Sequence, residues 1–393
     1  MFGIQRLRGR LDHLLDRKVK RGLESVEAGV RDSLRIGLYE LLYMDGVPEY
    51  AAVSQAVDLA RSKGGRGASG LANAVLRGIM RDGGGPEHFP DPETHPVEFL
   101  STWGSHPRWL VERWLSRWSF EDVSKLVEAN NGVPPLSLRC LCGTPEEAAK
   151  ALEDRGIDAG VVGSGTGCVV LHGHVSLEEA MSAVPAVVQD PAAALVVSYA
   201  DPGPEARVAD LCAAPGGKTL AFAAQGNVVL AADRSIERLR MIRENVDRVK
   251  EQTGGLVRVS MVQADALAPP VRRPDLLLLD VPCTGTGTLR RNPDIRWKLT
   301  PDRLHEMATL QARMLDACAD VVPSGGVLVY ATCSLEPEEN EEQIEAFMAR
   351  RPDFQMDPGG GVDRKFLNDR GYFYVIPQVF GFDGAFAARL RKV

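Results

Sequence analysis

Two cysteines stand where chemistry is expected in this chain of 393 residues. Cys283 ends the run LLLLDVPC, and Cys333 ends the run VLVYATC. Each run is short and apolar, which predicts a strand buried inside a parallel sheet. Open α/β sheets bind their ligands beyond the carboxyl ends of the strands. We therefore expect both thiols to lie at the working edge of one sheet.

A third strand end carries a glycine-rich turn. The segment DLCAAPGGKT at 210–219 is typical of a strand that breaks into a glycine turn and then opens a helix, a geometry suited to a nucleotide-like cofactor. It lacks the GxGxxG spacing of dinucleotide-binding folds. It is not a phosphate-binding P-loop, because GKT would then require a glycine where Cys212 stands. These departures disfavour NAD and ATP as the cofactor.

Acidic residues close the next three predicted strands in order. Asp233 follows the glycine turn by about twenty residues, where a carboxylate can accept hydrogen bonds from ribose hydroxyls. Asp265 is suited to an adenine amino group, and Asp280 ends the strand that leads to Cys283. One such aspartate alone is more often a turn or a helix cap, but the ordered series predicts an S-adenosylmethionine site. The predicted cofactor-binding residues are Cys212, Ala213, Ala214, Pro215, Gly216, Gly217, Lys218, Asp233, Asp265 and Asp280.

Composition is that of an ordinary soluble chain, with 44% hydrophobic and 25% charged residues. No apolar stretch of roughly 18 residues occurs, so we expect no membrane segment. The arginine-bearing start is not followed by an apolar core and is therefore not a secretory signal. Seven cysteines without a metal-type CxxC pair indicate reduced thiols, a cytoplasmic setting and no metal site.

The net charge of −7 is unusual for a nucleic-acid protein, but the charges are unevenly distributed. The segment that follows Cys283 in sequence contains a basic group around Trp297. Such a group could hold phosphates while the indole stacks on a base; the alternative is a solvated loop. The predicted RNA-binding residues are Arg290, Arg291, Arg296 and Lys298.

The pattern along the chain predicts four segments: residues 1–85 as an all-helical domain, 86–131 as a helical connector, 132–200 as a small α+β unit and 201–393 as an α/β domain with a doubly wound sheet. In the first segment we predict separate helices over 34–44, 54–62 and 71–81. Ser54 is the predicted N-cap of the second of these helices.

The motifs DLCAAPGGKT, DVPC and TCS, the last followed by an acidic stretch, resemble those of the RsmB/Nop/Sun family of RNA cytosine-5 methyltransferases. The segments LRIGLYELLYMDGVPEYAAVSQAVDLAR and LANAVLRG are similar to a NusB-like helical RNA-binding domain. The resemblance implies a seven-stranded Rossmann-like methyltransferase fold with S-adenosylmethionine as methyl donor. The chain begins at what looks like the third NusB-type helix, so we expect the first helices of this domain to be absent or heavily shortened, and the sequence leaves open whether the domain docks RNA.

The chemistry of cytosine explains why this family needs a thiol. C5 of the ring is a poor nucleophile, and addition of a thiolate at C6 turns it into an enamine-like carbon that can attack a methyl group. The residues alone leave the choice of thiol open, because the related DNA enzymes use the Pro-Cys cysteine. The resemblance implies that Cys333 is the nucleophile, that Cys283 assists product release and that Asp280 activates the cytosine.

The resemblance also implies a cytosine in 16S ribosomal RNA as the acceptor, and we expect a monomer. Transfer RNA is the alternative acceptor for the same chemistry. A non-catalytic NusB-like RNA-binding or ribosome assembly factor is the alternative from another class. That factor would keep the fold and lose a thiol or the glycine turn, and both are present here.

Overall fold

The computed structural model describes residues 2–163, 165–255 and 257–393, which form two compact units. A helical unit comprises the chain up to Val133 together with Leu289–Lys298, and a sheet-containing unit comprises Pro134–Thr288 and Leu299–Val393. The segment Leu289–Lys298 therefore groups with the helices, although it lies within the predicted α/β segment 201–393.

The secondary structure changes from helices alone to alternating strands and helices along the chain. The helices are α1 Phe2–Arg6, α2 Arg8–Asp16, α3 Ala28–Tyr43, α4 Glu49–Asp82, α5 Pro96–Thr102, α6 Arg108–Leu115, α7 Phe120–Asn131, α8 Pro145–Glu153, α9 Leu177–Ala183, α10 Pro191–Ala200, α11 Gly217–Ala224, α12 Ile236–Thr253, α13 Ile295–Lys298, α14 Pro301–Val321, α15 Glu341–Arg350 and α16 Pro377–Phe380. The strands are β1 Leu136–Cys140, β2 Ala159–Val162, β3 Cys168–Leu171, β4 Ala186–Val188, β5 Arg207–Leu211, β6 Val228–Asp233, β7 Arg258–Gln263, β8 Leu276–Asp280, β9 Val327–Thr332, β10 Phe354–Met356, β11 Phe373–Val375 and β12 Ala385–Lys392.

The helical unit is built around the packing of α3 on α4, which buries apolar residues such as Leu34 and Leu38. The helix predicted over 34–44 is confirmed as part of α3. The helices predicted over 54–62 and 71–81 are confirmed as the two parts of the helical run α4, which begins after Pro48 and is kinked at Gly65. Ser54 lies inside that run, so its prediction as an N-cap is wrong. The backbone departs from helical geometry within α4 only at Gly65, whose φ of 71° a glycine adopts readily.

The small sheet has the order β2-β3-β1-β4, and its neighbours are antiparallel. Helix α8 begins with a capping box in which Thr144 and Glu147 satisfy each other's backbone amides. Alanines and leucines of α8 and α9 fill the core between these helices and the sheet. A small α+β unit was predicted in this part of the chain, and its strands and helices are present.

The large sheet has the order β10-β12-β9-β8-β5-β6-β7, and β11 also pairs with β12. Strands β5 to β9 are parallel, whereas β12 is antiparallel to β9. Since β9 occupies one edge of β12, the short strands β10 and β11 share the other edge. The predicted α/β class with seven sheet positions is therefore confirmed, with the last position divided between two strands.

Burial on both faces explains why the central strands are continuous apolar runs. In β8, Leu276 and Leu278 pack in one core while Leu277 and Leu279 pack in the other. The strand order reverses between β5 and β8, since the chain adds β6 and β7 on one side before it crosses to the other. Ligands of such sheets bind at this reversal, beyond the strand ends. Among the described residues, no helix is both long and apolar enough to span a bilayer.

Candidate active site

The turn after β5 brings the backbone close to neighbouring side chains. Cys212 leaves the strand with a φ of 71°, and Gly216 has a φ of 101°. A Cβ on Gly217 would lie 2.9 Å from the Gln189 Nε2 atom. Gly216 therefore needs glycine for its dihedral angle, and a side chain at Gly217 would displace the Gln189 side chain. The turn opens helix α11, which begins at Gly217.

A cavity of about 170 Å³ lies beside this turn. Six of the predicted cofactor residues line it, and four residues that the sequence did not suggest complete the lining. The predicted residues are Ala213, Ala214, Pro215, Gly217, Lys218 and Asp280, and the added residues are Val188, Gln189, Ala193 and Asp210. The cavity therefore lies between the ends of β5 and β8, where the strand order reverses.

Two buried oxygen atoms of the lining residues lack a hydrogen-bond partner among the described residues, Asp210 Oδ1 and Gln189 Oε1. The other oxygen of Asp210 accepts a 2.6 Å hydrogen bond from the Thr219 hydroxyl. Burial raises the pKa of Asp210 to about 6, although the Thr219 hydrogen bond opposes this rise. Two unpaired acceptors in one cavity suit a ligand that donates hydrogen bonds.

Lys218 and Asp280 face each other in this cavity, with 2.6 Å between Nζ and Oδ2. Burial acts to lower the pKa of Lys218, but the charges of Asp280, Asp210 and Cys333 outweigh it and raise that pKa. The lysine therefore remains charged. Its ammonium offsets part of the negative charge that the two aspartates bring to the cavity.

The other two predicted aspartates are not among the described residues that line the cavity. Asp233 is 4% exposed, and its carboxylate accepts backbone hydrogen bonds from Ala214 at 3.2 Å and Ser235 at 3.0 Å. It thus ties the turn after β5 to the start of α12. Asp265 is exposed, and one of its oxygens accepts a hydrogen bond from the backbone of Leu267 at 2.9 Å.

The two thiols meet as the strand positions predict. Asp280 of β8 lies opposite Ala331 of β9, and the chain beyond these residues brings Cys283 Sγ within 3.3 Å of Cys333 Sγ. The hydrogen bond with Cys333, burial and the charge of Cys333 raise the pKa of Cys283 well above the usual range. Cys283 therefore holds its proton and can donate it toward Cys333. We call these two residues the thiol pair.

Burial disfavours ionisation of three other cysteines. Burial raises the pKa of Cys212 to about 12, and Asp280, Asp210 and Asp233 add to the rise. Burial likewise raises the pKa of Cys168 to about 12 and that of Cys140 to about 11. All seven cysteines are free thiols. Only the thiol pair therefore combines proximity with a position at the strand ends.

The predicted RNA-binding group does not form one exposed patch. Arg296 is fully buried in the helical unit, where it donates to the carbonyl oxygens of Ser105 and Asn130, each at 3.0 Å, and to Asn131 Oδ1 at 2.7 Å. Burial lowers its pKa to about 9, with a further contribution from the charge of Arg6. The prediction that Arg296 binds phosphate is therefore corrected, because its guanidinium is enclosed by protein acceptors.

The other members of that group differ in exposure. Arg290 is 8% exposed, Arg291 is half-buried, and the side chain of Lys298 is 75% exposed beside Asp294. The indole of Trp297 donates to the Gln5 carbonyl oxygen at 2.7 Å. The guanidinium of Arg8 lies 5.3 Å from the ring centroid. These contacts hold the indole of Trp297 within the helical unit, and stacking of a base on it stays a prediction.

Sequence reasoning missed three residues with buried polar groups near the strand ends. Asp210 precedes the glycine turn by two positions, and Gln189 follows β4 directly. Asp210 is a polar residue inside the apolar strand β5, and Gln189 directly follows the apolar strand β4, a signal that could have identified both. Glu339 is fully buried and contacts Thr284, which follows Cys283 in sequence. Nothing in the acidic stretch 336–342 distinguishes Glu339 from its neighbours by sequence.

Three family models match successive parts of the chain. The family described as 16S rRNA methyltransferase RsmB/F matches residues 197–391. The NusB family matches residues 1–81, and the RsmF/B-like methyltransferase ferredoxin-like domain matches residues 106–178.

Relatives that align with nearly the whole of this chain are named as ribosomal RNA small subunit methyltransferases. The probable ribosomal RNA small subunit methyltransferase B of Synechocystis is 33% identical over 100% of this chain and 90% of its own length. The corresponding Bacillus subtilis protein is 31% identical over 97% of this chain and 87% of its own length. The alignment with the Cronobacter sakazakii protein is 33% identical and covers 100% and 89% of the two chains.

Solved structures share the fold. The crystal structure of PH0851 superposes with a TM-score of 0.81 at 27% identity, over 100% of this chain and 88% of the other. A methyltransferase homolog protein from Pyrococcus horikoshii gives a TM-score of 0.62 at 26% identity, over 77% of this chain and 100% of the other.

Proposed function

Because this chain belongs to the 16S rRNA methyltransferase RsmB/F family, we propose that it methylates C5 of a cytosine in 16S ribosomal RNA through a covalent bond between Cys333 and C6. The observation that carries this proposal is the thiol pair, with its sulfur atoms 3.3 Å apart beyond two adjacent parallel strands. A methyl transfer that needed no covalent adduct would not require two thiols in contact at this place.

S-adenosylmethionine is the donor that the cavity residues fit, and it supplies an electrophilic methyl group on a sulfonium. Asp210 Oδ1 and Gln189 Oε1 are buried acceptors that suit the ammonium of its methionine part. Gly217 leaves space that a side chain would fill. The predicted residues of 212–218 would hold it, with Asp233, Asp265 and Asp280. Lys218 balances the cavity's negative charge.

In the first step, the thiolate of Cys333 attacks C6 of the cytosine. A sulfur–carbon bond forms, and the electron pair of the C5–C6 double bond moves toward C5, which then takes the methyl group. Asp280 keeps one oxygen on Lys218, and its side chain remains 31% exposed. It can therefore also accept a hydrogen bond from the N4 amino group, or protonate N3, and so favour the attack.

In the second step, a water molecule from the solvent takes the proton from C5, and the bond between C6 and the Cys333 sulfur breaks. The C5–H electron pair restores the ring double bond, and the sulfur departs with the electron pair of its bond to C6. A departing thiolate is stabilised by a nearby donor. The Cys283 thiol, 3.3 Å away and protonated because its pKa is raised, is that donor. Cys283 therefore assists product release.

The acceptor follows from the relatives, which are named as ribosomal RNA small subunit methyltransferases. We propose that Lys298, which is exposed, and Arg291 contact phosphates of that RNA. We propose further that the protein acts as a monomer in the cytoplasm. The four segments 1–85, 86–131, 132–200 and 201–393 remain our proposed domain division.

Replacement of each thiol tests the chemistry directly. We expect the Cys333→Ala variant to lose methylation without trapping RNA. The Cys283→Ala variant should accumulate a covalent protein–RNA complex that survives denaturing electrophoresis. The Cys318→Ala variant is the control, since Cys318 is buried in the core. The opposite pattern for the two thiols would reverse their roles, and full activity of both variants would overturn the covalent mechanism.

Bisulfite sequencing of total RNA, with and without the gene, tests the acceptor. We expect one cytosine of 16S ribosomal RNA to lose its protection from deamination when the gene is deleted. Loss of a mark in transfer RNA instead would contradict the acceptor and leave the chemistry intact. No change in any RNA would favour the non-catalytic alternative.

A further inference from the structure

Glu339 is a fully buried carboxylate outside the set of residues that carry the proposed reaction. It lies in the 3-10 turn Pro337–Glu339, between β9, which leads to Cys333, and helix α15. Burial raises its pKa, and hydrogen bonds from Ser334, Thr284 and Gln311 oppose the rise. A buried carboxylate that accepts several hydrogen bonds holds the residues that donate them in fixed positions.

On the Cys283 side, Glu339 holds the residue that follows the thiol. Its Oε1 accepts from the backbone N–H of Thr284 at 2.9 Å, and its Oε2 accepts from the Thr284 hydroxyl. Gln311 extends this contact, because its Nε2 lies 2.9 Å from both Glu339 Oε1 and the Pro282 carbonyl oxygen. The residues immediately before and after Cys283 are thus fixed to one carboxylate.

On the Cys333 side, the same carboxylate holds the residue that follows the other thiol. The hydroxyl of Ser334 is hydrogen-bonded to Glu339 and lies 3.2 Å from the Thr284 hydroxyl oxygen. The backbone N–H of Gly287 also donates to the Cys333 carbonyl oxygen at 2.9 Å. Each residue that directly follows a thiol is therefore connected to Glu339.

We propose that Glu339 is a positioning residue that sets the separation of the thiol pair and thereby the rate of product release. This inference rests on the proposed function. A carboxylate suits the position because its hydrogen-bond partners, the amide and hydroxyl of Thr284, the amide of Gln311 and the hydroxyl of Ser334, can all donate. A glutamine would present its own N–H groups to some of these donors. The two loops would then lose their common acceptor, and the sulfur atoms would no longer be held in contact.

Thiol oxidation measures this separation without any RNA. Diamide, a diazene oxidant, takes two electrons and two protons from two nearby thiols, so that a sulfur–sulfur bond forms and the diazene becomes a hydrazine. We expect the wild-type protein to form the Cys283–Cys333 disulfide readily, as detected by peptide mass spectrometry. In the Glu339→Gln variant the rate should fall about tenfold, because the effective concentration of one thiol at the other drops. The Glu342→Gln variant, with the same charge change on an exposed residue, should oxidise at the wild-type rate.

Activity gives the second readout. We expect the Glu339→Gln variant to show about tenfold lower kcat with an unchanged KM for RNA and to accumulate the covalent complex expected of Cys283→Ala. A merely structural role would instead lower the melting temperature and the amount of active protein without trapping RNA. If Glu339→Gln fails to fold, the Thr284→Val variant removes one donor at nearly constant volume and carries both measurements.

Unchanged diamide oxidation of a folded Glu339→Gln variant would overturn the positioning role. The oxidation result is independent of RNA, so it stands or fails apart from the proposed function. A slower oxidation combined with no methyl transfer by the wild-type protein would support the positioning of the thiols and contradict the proposed reaction.

Discussion

The sequence predicted functional residues in two regions. One is the set of strand-end loops in the sheet-containing unit, and the other is the basic segment Leu289–Lys298 of the helical unit. In the first region the structure brings the predicted thiols to 3.3 Å and places Lys218 2.6 Å from Asp280. In the second region it buries Arg296 among backbone carbonyls. The difference is that parallel strands determine where their ends lie, whereas a short irregular segment has no period that says which side chains face water.

Replacement of Arg296 should have the largest effect on stability. The Arg296→Ala variant leaves carbonyl oxygens of Ser105 and Asn130 without their donor and opens a cavity, so we expect a loss of about 4 kcal/mol in the free energy of unfolding. Urea unfolding followed by tryptophan fluorescence measures it. Lys298→Ala is the matched control and should change stability by less than about 0.5 kcal/mol. Wild-type stability of Arg296→Ala together with weakened RNA binding would restore Arg296 as an RNA contact.

The buried carboxylate of Asp210 should make the stability of the sheet-containing unit depend on pH. Its pKa is raised from 3.8 to about 6 in the folded protein, so the folded state binds the proton more tightly than the unfolded state. The resulting stabilisation is complete below about pH 4 and is lost as the pH rises through about 6, with a total on the order of 3 kcal/mol.

The Asp210→Asn variant should lack this loss. We therefore expect the stability difference between variant and wild type to shift in favour of the variant as the pH rises from about 4 to about 7. Melting temperatures across that range, without ligand, provide the measurement. A constant difference between the two proteins would mean that Asp210 titrates normally.

A methyl group at Gly287 should have a smaller effect on stability than the Arg296 and Asp210 changes. It would disturb the two loops that follow β8 and β9 and carry Cys283 and Cys333, here called the thiol loops. A Cβ there would lie 2.7 Å from Gly384 Cα and 2.8 Å from the Cys333 carbonyl oxygen, both backbone atoms. We expect the Gly287→Ala variant to lose about 2 kcal/mol of stability and to have reduced methyl transfer. The Gly46→Ala variant, where nothing lies within 4 Å, is the control. Equal activity and stability of these two variants would argue against close packing of the thiol loops.

The smallest expected effect is a gain in the helical unit. Gly70 lies in the second half of α4, and a Cβ there would meet nothing within 4 Å. Alanine has the higher helix propensity, so the Gly70→Ala variant should be more stable by up to about 1 kcal/mol. Thermal unfolding by circular dichroism checks it. A destabilised variant would show that this surface of α4 is not open.

The sequence by itself determined the class of the fold and the residues at its strand ends. Three central strands were identified from apolar runs, because a strand that is buried on both faces needs such a run. These runs end in DLC at 210–212, LLD at 278–280 and ATC at 331–333. The thiol pair and six residues that line the cavity were predicted from the motifs that follow these strands. The helices in the first segment were predictable in place but not in extent, because the first part of α4 begins at Glu49, before the predicted cap Ser54.

The tertiary structure alone decided which polar groups are enclosed. Asp210 in β5 and Gln189 directly after β4 reach one cavity from different sheets, and Glu339 contacts Thr284 across 55 positions of the chain. Arg296 turns inward although its sequence neighbours include the exposed Lys298. Sequence periodicity reports burial along one element, whereas a polar side chain is buried only when distant segments supply its partners. That supply depends on the packing of the whole unit.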